Sequence, residues 1–281
     1  MELPVSHTLK AREKEGVVYY TFPSFDAVPF VRHGFSTRLG GVSMEPFESM
    51  NLSFTRGDEA DNVRENFRRF CGAMEVEAAR VVISAQEHHT RIHNATAADR
   101  GRGITRERGY TDIDGLLTDE PGVVLCTQYA DCVPLFFVDP VKRVVGTSHS
   151  GWKGTVARIG AVTVERMCRD YGCRREDILA GIAPSIGPCC FEVDTPVYEA
   201  FAAMEGWDEV CATHDGGGKY HIDLWEVNRR ILLSAGIRSE HITVTDLCTR
   251  CHPELFWSHR AAGSRRGSLA AFISIADEGR G

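Results

Sequence analysis

Features that would place this chain in a membrane or on a nucleic acid are missing from its 281 residues. No stretch approaches the roughly 18 consecutive apolar residues that a membrane-spanning helix needs. Residues 1–7 show no basic segment followed by an apolar core, as a signal peptide would. Acidic residues outnumber basic ones, 39 to 32, and the formal net charge is −7. We therefore expect a cytoplasmic protein that binds neither membranes nor nucleic acids, although local arginine and lysine side chains can hold a small anion.

The sequence also lacks the cysteine spacing of a disulfide framework, although it contains ten cysteines. Those within apolar stretches are expected to be buried free thiols; they are Cys126, Cys168 and Cys211. Cys248 and Cys251 form a Cys-x-x-Cys pair without the second pair that a zinc ribbon requires. The adjacent Cys189 and Cys190 likewise have no evident partner in the sequence. Whether Cys248 and Cys251 pair or bind anything is left open.

Apolar β-like runs and helical patterns alternate irregularly, without repeats, low-complexity tracts or a Pro/Gly-rich linker. Strands are predicted at 16–22, 30–36, 80–84, 116–118, 123–128, 133–138, 143–148, 178–183, 219–223, 242–245 and 268–275. Helices are predicted at 62–74 with Asp61 as its cap, 155–171 ending at Gly172, 196–204 and 224–235. The short turn at 139–142 predicts an antiparallel hairpin, and 94–113 is predicted to be a long loop, a candidate lid. We expect an α+β fold of one domain covering residues 1–281, with 1–15 loosely ordered.

His88, Cys132 and His149 each lie at or just beyond the end of a strand-like run. Because strand ends from distant parts of the chain can meet at one edge of a sheet, we expect these side chains to converge. Two imidazoles and one thiolate bind zinc well and leave a fourth position open, as catalytic zinc sites do. Lys153 follows Gly151 near the start of a predicted helix, where its charge and the helix N-terminus favour an anion.

Three motifs carry a resemblance to a known family: Gln86-x-His88, Ala130-Asp131-Cys132-x-Pro134 and His149-Ser150-Gly151-Trp152-Lys153-Gly154. Further matches follow in the expected order over residues 30 to 270, among them Asp114-Gly115-Leu116. On these motifs the sequence resembles the YfiH-like family, long labelled laccase-domain or polyphenol oxidase proteins and now regarded as purine nucleoside phosphorylases. The segment 263–268 is shorter than in relatives, so the roles of Arg260, Arg265 and Arg266 are left unassigned.

The resemblance implies a single domain of β-sheets sandwiched between helical layers, with Zn²⁺ held by His88, Cys132 and His149. It implies phosphorolysis of adenosine, inosine, guanosine and S-methyl-5'-thioadenosine, with inorganic phosphate as co-substrate. Adenosine deamination is implied as a second activity. Cys132 and His149 would then lie at the centre of catalysis.

Phosphorolysis also needs groups that hold phosphate, and Arg38 and Lys153 are our candidates. The alternative for Arg38 is a solvated loop arginine. Asn51 is expected to hydrogen-bond either the substrate or the loop that carries Arg38. Asp131 is a catalytic candidate that either orients a histidine ligand or moves a proton; the alternative is that it caps a local turn.

Two other activities compete with this interpretation. A His₂Cys set also suits copper, as a copper-dependent polyphenol oxidase would require, or copper bound adventitiously. However, the eleven histidines include no His-x-His pair of the kind that holds a trinuclear copper cluster. A Cys/His hydrolase would use Cys132 as nucleophile and His149 as base. A binding module without enzymatic activity would leave the convergent ligands and cations without a purpose. The sequence does not rank the nucleosides, choose between zinc and copper, or reveal the oligomeric state.

Overall fold

The computed structural model describes residues 3–277. The first seven strands are β1 (10–14), β2 (17–21), β3 (31–36), β4 (81–83), β5 (92–94), β6 (115–118) and β7 (124–129). The remaining strands are β8 (133–139), β9 (144–150), β10 (179–182), β11 (192–194), β12 (212–216), β13 (219–222), β14 (242–244) and β15 (269–275). The α-helices are α1 (23–26), α2 (60–73), α3 (152–156), α4 (159–171), α5 (195–202), α6 (224–234) and α7 (259–262). No helix within this described part is both long enough and apolar enough to cross a membrane.

Two six-stranded sheets form the centre of the fold. The strand order is β1-β2-β3-β15-β7-β4 in the first sheet and β14-β10-β8-β9-β6-β5 in the second. Strands β8 and β9 form the predicted hairpin, and its register places Val133 opposite Ser150 and Val138 opposite Val145. A smaller sheet of three strands, in the order β11-β13-β12, lies apart from these two.

The side chains of β8 alternate between two hydrophobic cores. Val133, Leu135 and Phe137 belong to one core, and Phe136 and Val138 belong to the other. Alternate residues of a strand face opposite sides of its sheet. The second sheet is therefore covered on both faces, by the first sheet on one side and by α4 and α6 on the other. Double coverage explains why this strand is a continuous apolar run in the sequence.

Helix α2 covers the outer face of the first sheet. Its Phe67 and Phe70 are fully buried, and the ring centroid of Phe70 lies 4.7 Å from that of Phe272 in β15. Full burial of each phenylalanine contributes about 1.5–3 kcal/mol to folding. The layer order is helix, sheet, sheet, helix, which confirms the predicted α+β class with sheets between helical layers.

Three predictions about individual elements were wrong. The helix expected at 155–171 is divided into α3 and α4, because Arg158 adopts a left-handed conformation with φ of 57°. Tertiary contacts hold that break, since the Arg158 guanidinium donates hydrogen bonds to Ser234 and Glu205. Helix α2 begins at Ala60 with Glu59 at the N-cap position, so Asp61 lies in the first turn. Residues 10–14 are not loosely ordered: they form the edge strand β1, paired with β2. The charges in this strand are typical of a protected sheet edge.

Candidate active site

Strand pairing brings Cys132 and His149 together. Cys132 immediately precedes β8, and His149 is the residue before the last in β9. Because the hairpin register places Pro134 opposite His149, both side chains lie at the same end of the hairpin. His88 approaches from the loop that follows β4, in a left-handed conformation with φ of 64°. The structure thus brings the three predicted ligands to one point.

One donor atom from each of His88, Cys132 and His149 lies within 4.8 Å of the other two. The two imidazole centroids are 4.7 Å apart. Gly151 makes this approach possible, because a Cβ atom there would lie 2.6 Å from Nδ1 of His88 and 3.2 Å from Sγ of Cys132. A donor set of two imidazoles and one thiolate, with a coordination position left open, fits a zinc ion.

Asp114 lies next to this ligand set and bonds two of its members. Its buried carboxylate lies 2.8 Å from Nδ1 of His149 and also accepts hydrogen bonds from the backbone N–H groups of Glu87, His88 and His89. Burial raises the pKa of Asp114, but the bond to His149 and the backbone donors outweigh it, so that the pKa is lowered. The ionised carboxylate holds a proton on Nδ1 of His149 and leaves Nε2 as the metal-binding nitrogen.

His149 is a strong base for an imidazole. Burial lowers its pKa, but the Cys132 sulfur and the Asp114 carboxylate together raise it to about 9. A metal ion at this site would have to displace the proton from Nε2 of His149, because a histidine ligand must be neutral.

The three ligands open into a cavity of about 470 Å³. Four arginines contribute to its lining, and they are Arg56, Arg108, Arg260 and Arg266. Amide groups come from Gln86 and Gln128, and aromatic rings from Tyr129, Trp152 and Phe191. A cavity of this volume, with convergent polar groups and aromatic walls, is of the size that binds small molecules.

Arg266 is the most buried of these arginines, with 8% of its surface exposed. Its Nη1 group donates a hydrogen bond to the carbonyl of Gly267, whereas its buried Nε group has no hydrogen-bond partner within the described chain. Burial and, to a smaller extent, the nearby positive charge of Arg56 lower the pKa of Arg266 to about 10. Two neighbouring cations and an unpaired buried donor favour a bound anion at this wall of the cavity.

Three residues predicted to bind substrate lie outside this lining. The guanidinium of Arg38 donates hydrogen bonds to the carbonyls of Glu48 and Pro253 and stacks 3.9 Å from the ring centroid of Trp257. Asn51 is fully buried, and its amide bonds Ser53, Asp58 and Ser268. Lys153 is exposed, with Nζ 5.7 Å from the ring centroid of Trp152. Arg38 and Asn51 therefore hold loops together.

Asp131 does line the cavity, but its carboxylate bonds Thr249 and Arg260, not a histidine, which leaves moving a proton or capping the turn as its role. One oxygen accepts a hydrogen bond of 2.7 Å from the Thr249 hydroxyl, and the other accepts one of 2.7 Å from the backbone N–H of Arg260. The position that orients a histidine belongs to Asp114. Asp131 is nevertheless the only residue with a side-chain carboxyl group among the described residues that line the cavity.

Residues 32–276 match the family described as multi-copper polyphenol oxidoreductase laccase, and the chain belongs to that family. The resemblance found in the motifs is confirmed by both sequence and structural relatives. The chain is 39% identical over 243 residues to the Bacillus subtilis protein named purine nucleoside phosphorylase YlmD, covering 86% of this chain and 87% of the relative.

A second relative carries a different activity in its name. The adenosine deaminase RL5, from an unknown prokaryotic organism, is 34% identical over 238 residues, which cover 83% of this chain and 90% of the relative. Among solved structures, the hypothetical protein YfiH of Bacillus licheniformis superposes with a TM-score of 0.89 at 34% identity, covering 94% of this chain and 98% of that one. Both of these named relatives are therefore named for an activity on purine nucleosides.

Sequence reasoning missed the role of Asp114 and did not assign the cavity arginines. Asp114 lies directly before β6 within a motif that matched the family, and a carboxylate at that position was the available signal. Arg56 and Arg266 lie in irregular segments where no periodicity applies. Only the packing of those segments reveals that both arginines line one cavity.

Proposed function

We propose that this chain is a zinc-dependent purine nucleoside phosphorylase that also deaminates adenosine. Its substrates are adenosine, inosine, guanosine and S-methyl-5'-thioadenosine, with inorganic phosphate as co-substrate. One observation carries the proposal: the His₂Cys ligand set and the paired arginines open into the same cavity. The names of the relatives, purine nucleoside phosphorylase and adenosine deaminase, support the same two activities.

Phosphate binds at Arg56 and Arg266 in this proposal, not at Arg38 and Lys153. An anion between the first two side chains would reduce their mutual repulsion and accept a hydrogen bond from the unpaired Nε group of Arg266. Arginine presents a planar set of donors that matches phosphate oxygens. Arg38 already uses its donors on backbone carbonyls.

Phosphorolysis joins an oxygen of hydrogenphosphate to C1′ of the sugar while the bond from C1′ to the purine nitrogen breaks. The bonding electrons leave with the purine, and the proton of hydrogenphosphate ends on the released base. Arg56 and Arg266 orient the attacking anion, and this positioning is a main source of rate enhancement. Asp131 is the candidate that relays the proton, since it supplies the carboxyl group of the lining.

A zinc ion held by His88, Cys132 and His149 would supply Lewis-acid chemistry to a substrate in this cavity. Asp114 orients His149 by accepting a hydrogen bond from Nδ1, which leaves Nε2 as the nitrogen that would bind the metal. The deaminase activity requires the amino-bearing carbon of adenine to face this ligand set. In the same orientation the sugar faces the arginines.

The donor set also binds copper, which generally exceeds zinc in affinity. A polyphenol oxidase would consume oxygen on phenols and leave nucleosides unchanged. A cysteine hydrolase using Cys132 and His149 would keep its activity after chelation.

The ten cysteines are all free thiols, and free thiols persist in a reducing compartment. We infer from them that the enzyme works in the cytoplasm.

Elemental analysis combined with chromatography of the products of adenosine tests the proposal. Zinc in the purified protein, with adenine formed only in the presence of phosphate, is the expected result. Inosine formed without phosphate establishes the deaminase activity. Oxygen uptake on a phenol together with copper in place of zinc, and no nucleoside turnover, would overturn the proposal.

A further inference from the structure

A second group of cysteine side chains meets away from the ligand set described above. One sulfur atom each from Cys189, Cys190, Cys248 and Cys251 lies within 4.8 Å of the other three. Sγ of Cys251 lies 3.5 Å from Sγ of Cys189 and 3.5 Å from Sγ of Cys190. The sequence alone did not join the two pairs, because more than fifty residues separate them.

These separations match neither a disulfide nor independent thiols. A disulfide would bring two sulfurs to about 2.05 Å, and all four cysteines are free thiols. A zinc ion with four thiolate ligands at about 2.3 Å places those ligands about 3.8 Å apart, at the corners of a tetrahedron. The four sulfurs all lie within 4.8 Å of one another, so the space between them is about the size that one zinc ion needs. An iron–sulfur cluster would require its ligands to stand further apart, because several irons would lie between them.

Hydrogen-bond donors already point at two of the sulfurs. The backbone N–H of Gly187 donates to Sγ of Cys248 at 3.2 Å, and the Arg250 guanidinium donates to Sγ of Cys190 at 3.4 Å. Donors of this kind stabilise thiolates and orient metal ligands. Gly187 also lies close to the site, since a Cβ atom on it would be 3.3 Å from Cβ of Cys248.

We propose that Cys189, Cys190, Cys248 and Cys251 hold a second zinc ion, as a closed four-thiolate site with a structural function. Cys190 and Cys248 are buried, whereas Cys189 and Cys251 are exposed. The ion therefore joins two surface loops, 187–191 and 248–251, that lie far apart in the chain. A site with four protein ligands leaves no position for substrate.

Both joined loops border the cavity, so the second ion would also stabilise residues of the active site. The Thr249 hydroxyl donates to the Asp131 carboxylate at 2.7 Å, and the backbone N–H of Ile186 donates to the Asp131 carbonyl at 2.9 Å. Phe191, next to the ligand Cys190, lines the cavity. The ion thus fastens the two segments that hold Asp131, the neighbour of Cys132.

Metal counting on the full chain tests the proposal. Protein purified with reductant and zinc, then freed of loose metal by gel filtration, is expected to contain two zinc ions per chain. Cys251→Ser and His149→Ala should each lose one of them, and the double variant both. Cys168→Ser, which removes a half-buried thiol outside the group, should retain two.

The His149→Ala variant isolates the second site for spectroscopy and keeps the test independent of whether Cys251→Ser folds. Its zinc X-ray absorption should show four sulfur neighbours at about 2.3 Å, and cobalt in its place should give the intense absorption of tetrahedral thiolate coordination. A His149→Ala variant that binds no zinc, or peptide mapping that finds Cys251 in a disulfide in the freshly purified protein, would overturn the proposal. Because these readouts do not involve nucleosides, they are independent of the proposed catalytic activity.

Discussion

The carboxylate of Asp114 lies 2.8 Å from Nδ1 of His149, and 0% of Asp114 and 3% of His149 are exposed. The same carboxylate accepts hydrogen bonds from three successive backbone N–H groups, at residues 87, 88 and 89. One buried side chain therefore orients one predicted ligand directly and fixes the loop that carries another. The geometry of the ligand set therefore depends on this residue.

Replacing Asp114 with asparagine should weaken metal binding about 10–100-fold. The amide keeps the size of the carboxylate but loses its charge. Its NH₂ group would face N–H groups of the backbone or of His149, which need an acceptor and not a second donor. Zinc affinity is measured by competition with a chromophoric chelator. Asp112→Asn is the matched control, because Asp112 bonds His89 at the surface. Equal affinities of the two variants would contradict the orienting role of Asp114.

Arg266→Met should raise the KM for phosphate at least about 10-fold, since a charge-assisted hydrogen bond contributes about 1.5–3 kcal/mol. Steady-state kinetics with varied phosphate and saturating nucleoside give the value. Arg38→Met provides the comparison: its guanidinium bonds the backbone of residues 48 and 253. That variant should lower the free energy of unfolding and leave the KM for phosphate close to the wild-type value. If Arg38→Met raised the KM for phosphate and Arg266→Met did not, phosphate binding would be assigned to Arg38 instead.

Gly151→Ala should abolish stoichiometric zinc binding at the His₂Cys set. The φ of Gly151 is −64°, which any residue adopts, so the obstacle is the predicted 2.6 Å contact between the new Cβ and Nδ1 of His88. Gly72→Ala is the control, because a Cβ at this exposed position of α2 has nothing within 4 Å. It should raise the free energy of unfolding by about 0.5–1 kcal/mol. Zinc content and urea unfolding of both variants check the prediction, which fails if Gly151→Ala retains its zinc.

His33 should make the protein less stable in mild acid. Burial lowers its pKa from 6.5 to about 4, and Nε2 accepts a hydrogen bond of 2.8 Å from the backbone N–H of Phe22, which requires the neutral ring. Between these two values the unfolded chain binds a proton that the folded chain does not. The free energy of unfolding should therefore fall as the pH falls through this window, by up to about 1.4 kcal/mol per pH unit.

The His33→Gln variant isolates this contribution from the titration of carboxylates. Its amide oxygen can accept the same hydrogen bond, but it does not titrate. Urea unfolding at several pH values should give wild type a steeper decline than the variant between pH 6.5 and about 4. Parallel declines would show that His33 does not limit stability in acid.

The layered α+β class and most of the elements were predictable, because burial leaves periodic apolar patterns. The hairpin of β8 and β9 is an example: its two apolar runs and short turn specify an antiparallel pair whichever residues surround it. The break at Arg158 was not predictable, since the apolar spacing continues across it and contacts with Ser234 and Glu205 maintain it. Strand β1 was missed for a related reason, because an edge strand exposes most of its side chains.

By itself the sequence determined which residues are available for chemistry: two histidines and a cysteine at strand ends, with motifs that place the chain in its family. Only the tertiary structure decided which polar residues serve the cavity. It bonds Arg38 and Asn51 to neighbouring loops, places Arg56 and Arg266 in the lining of one cavity, and brings two cysteine pairs together from separate loops. The physical reason is that local patterns encode burial and backbone conformation, whereas the partners of a polar side chain depend on segments far away in the chain.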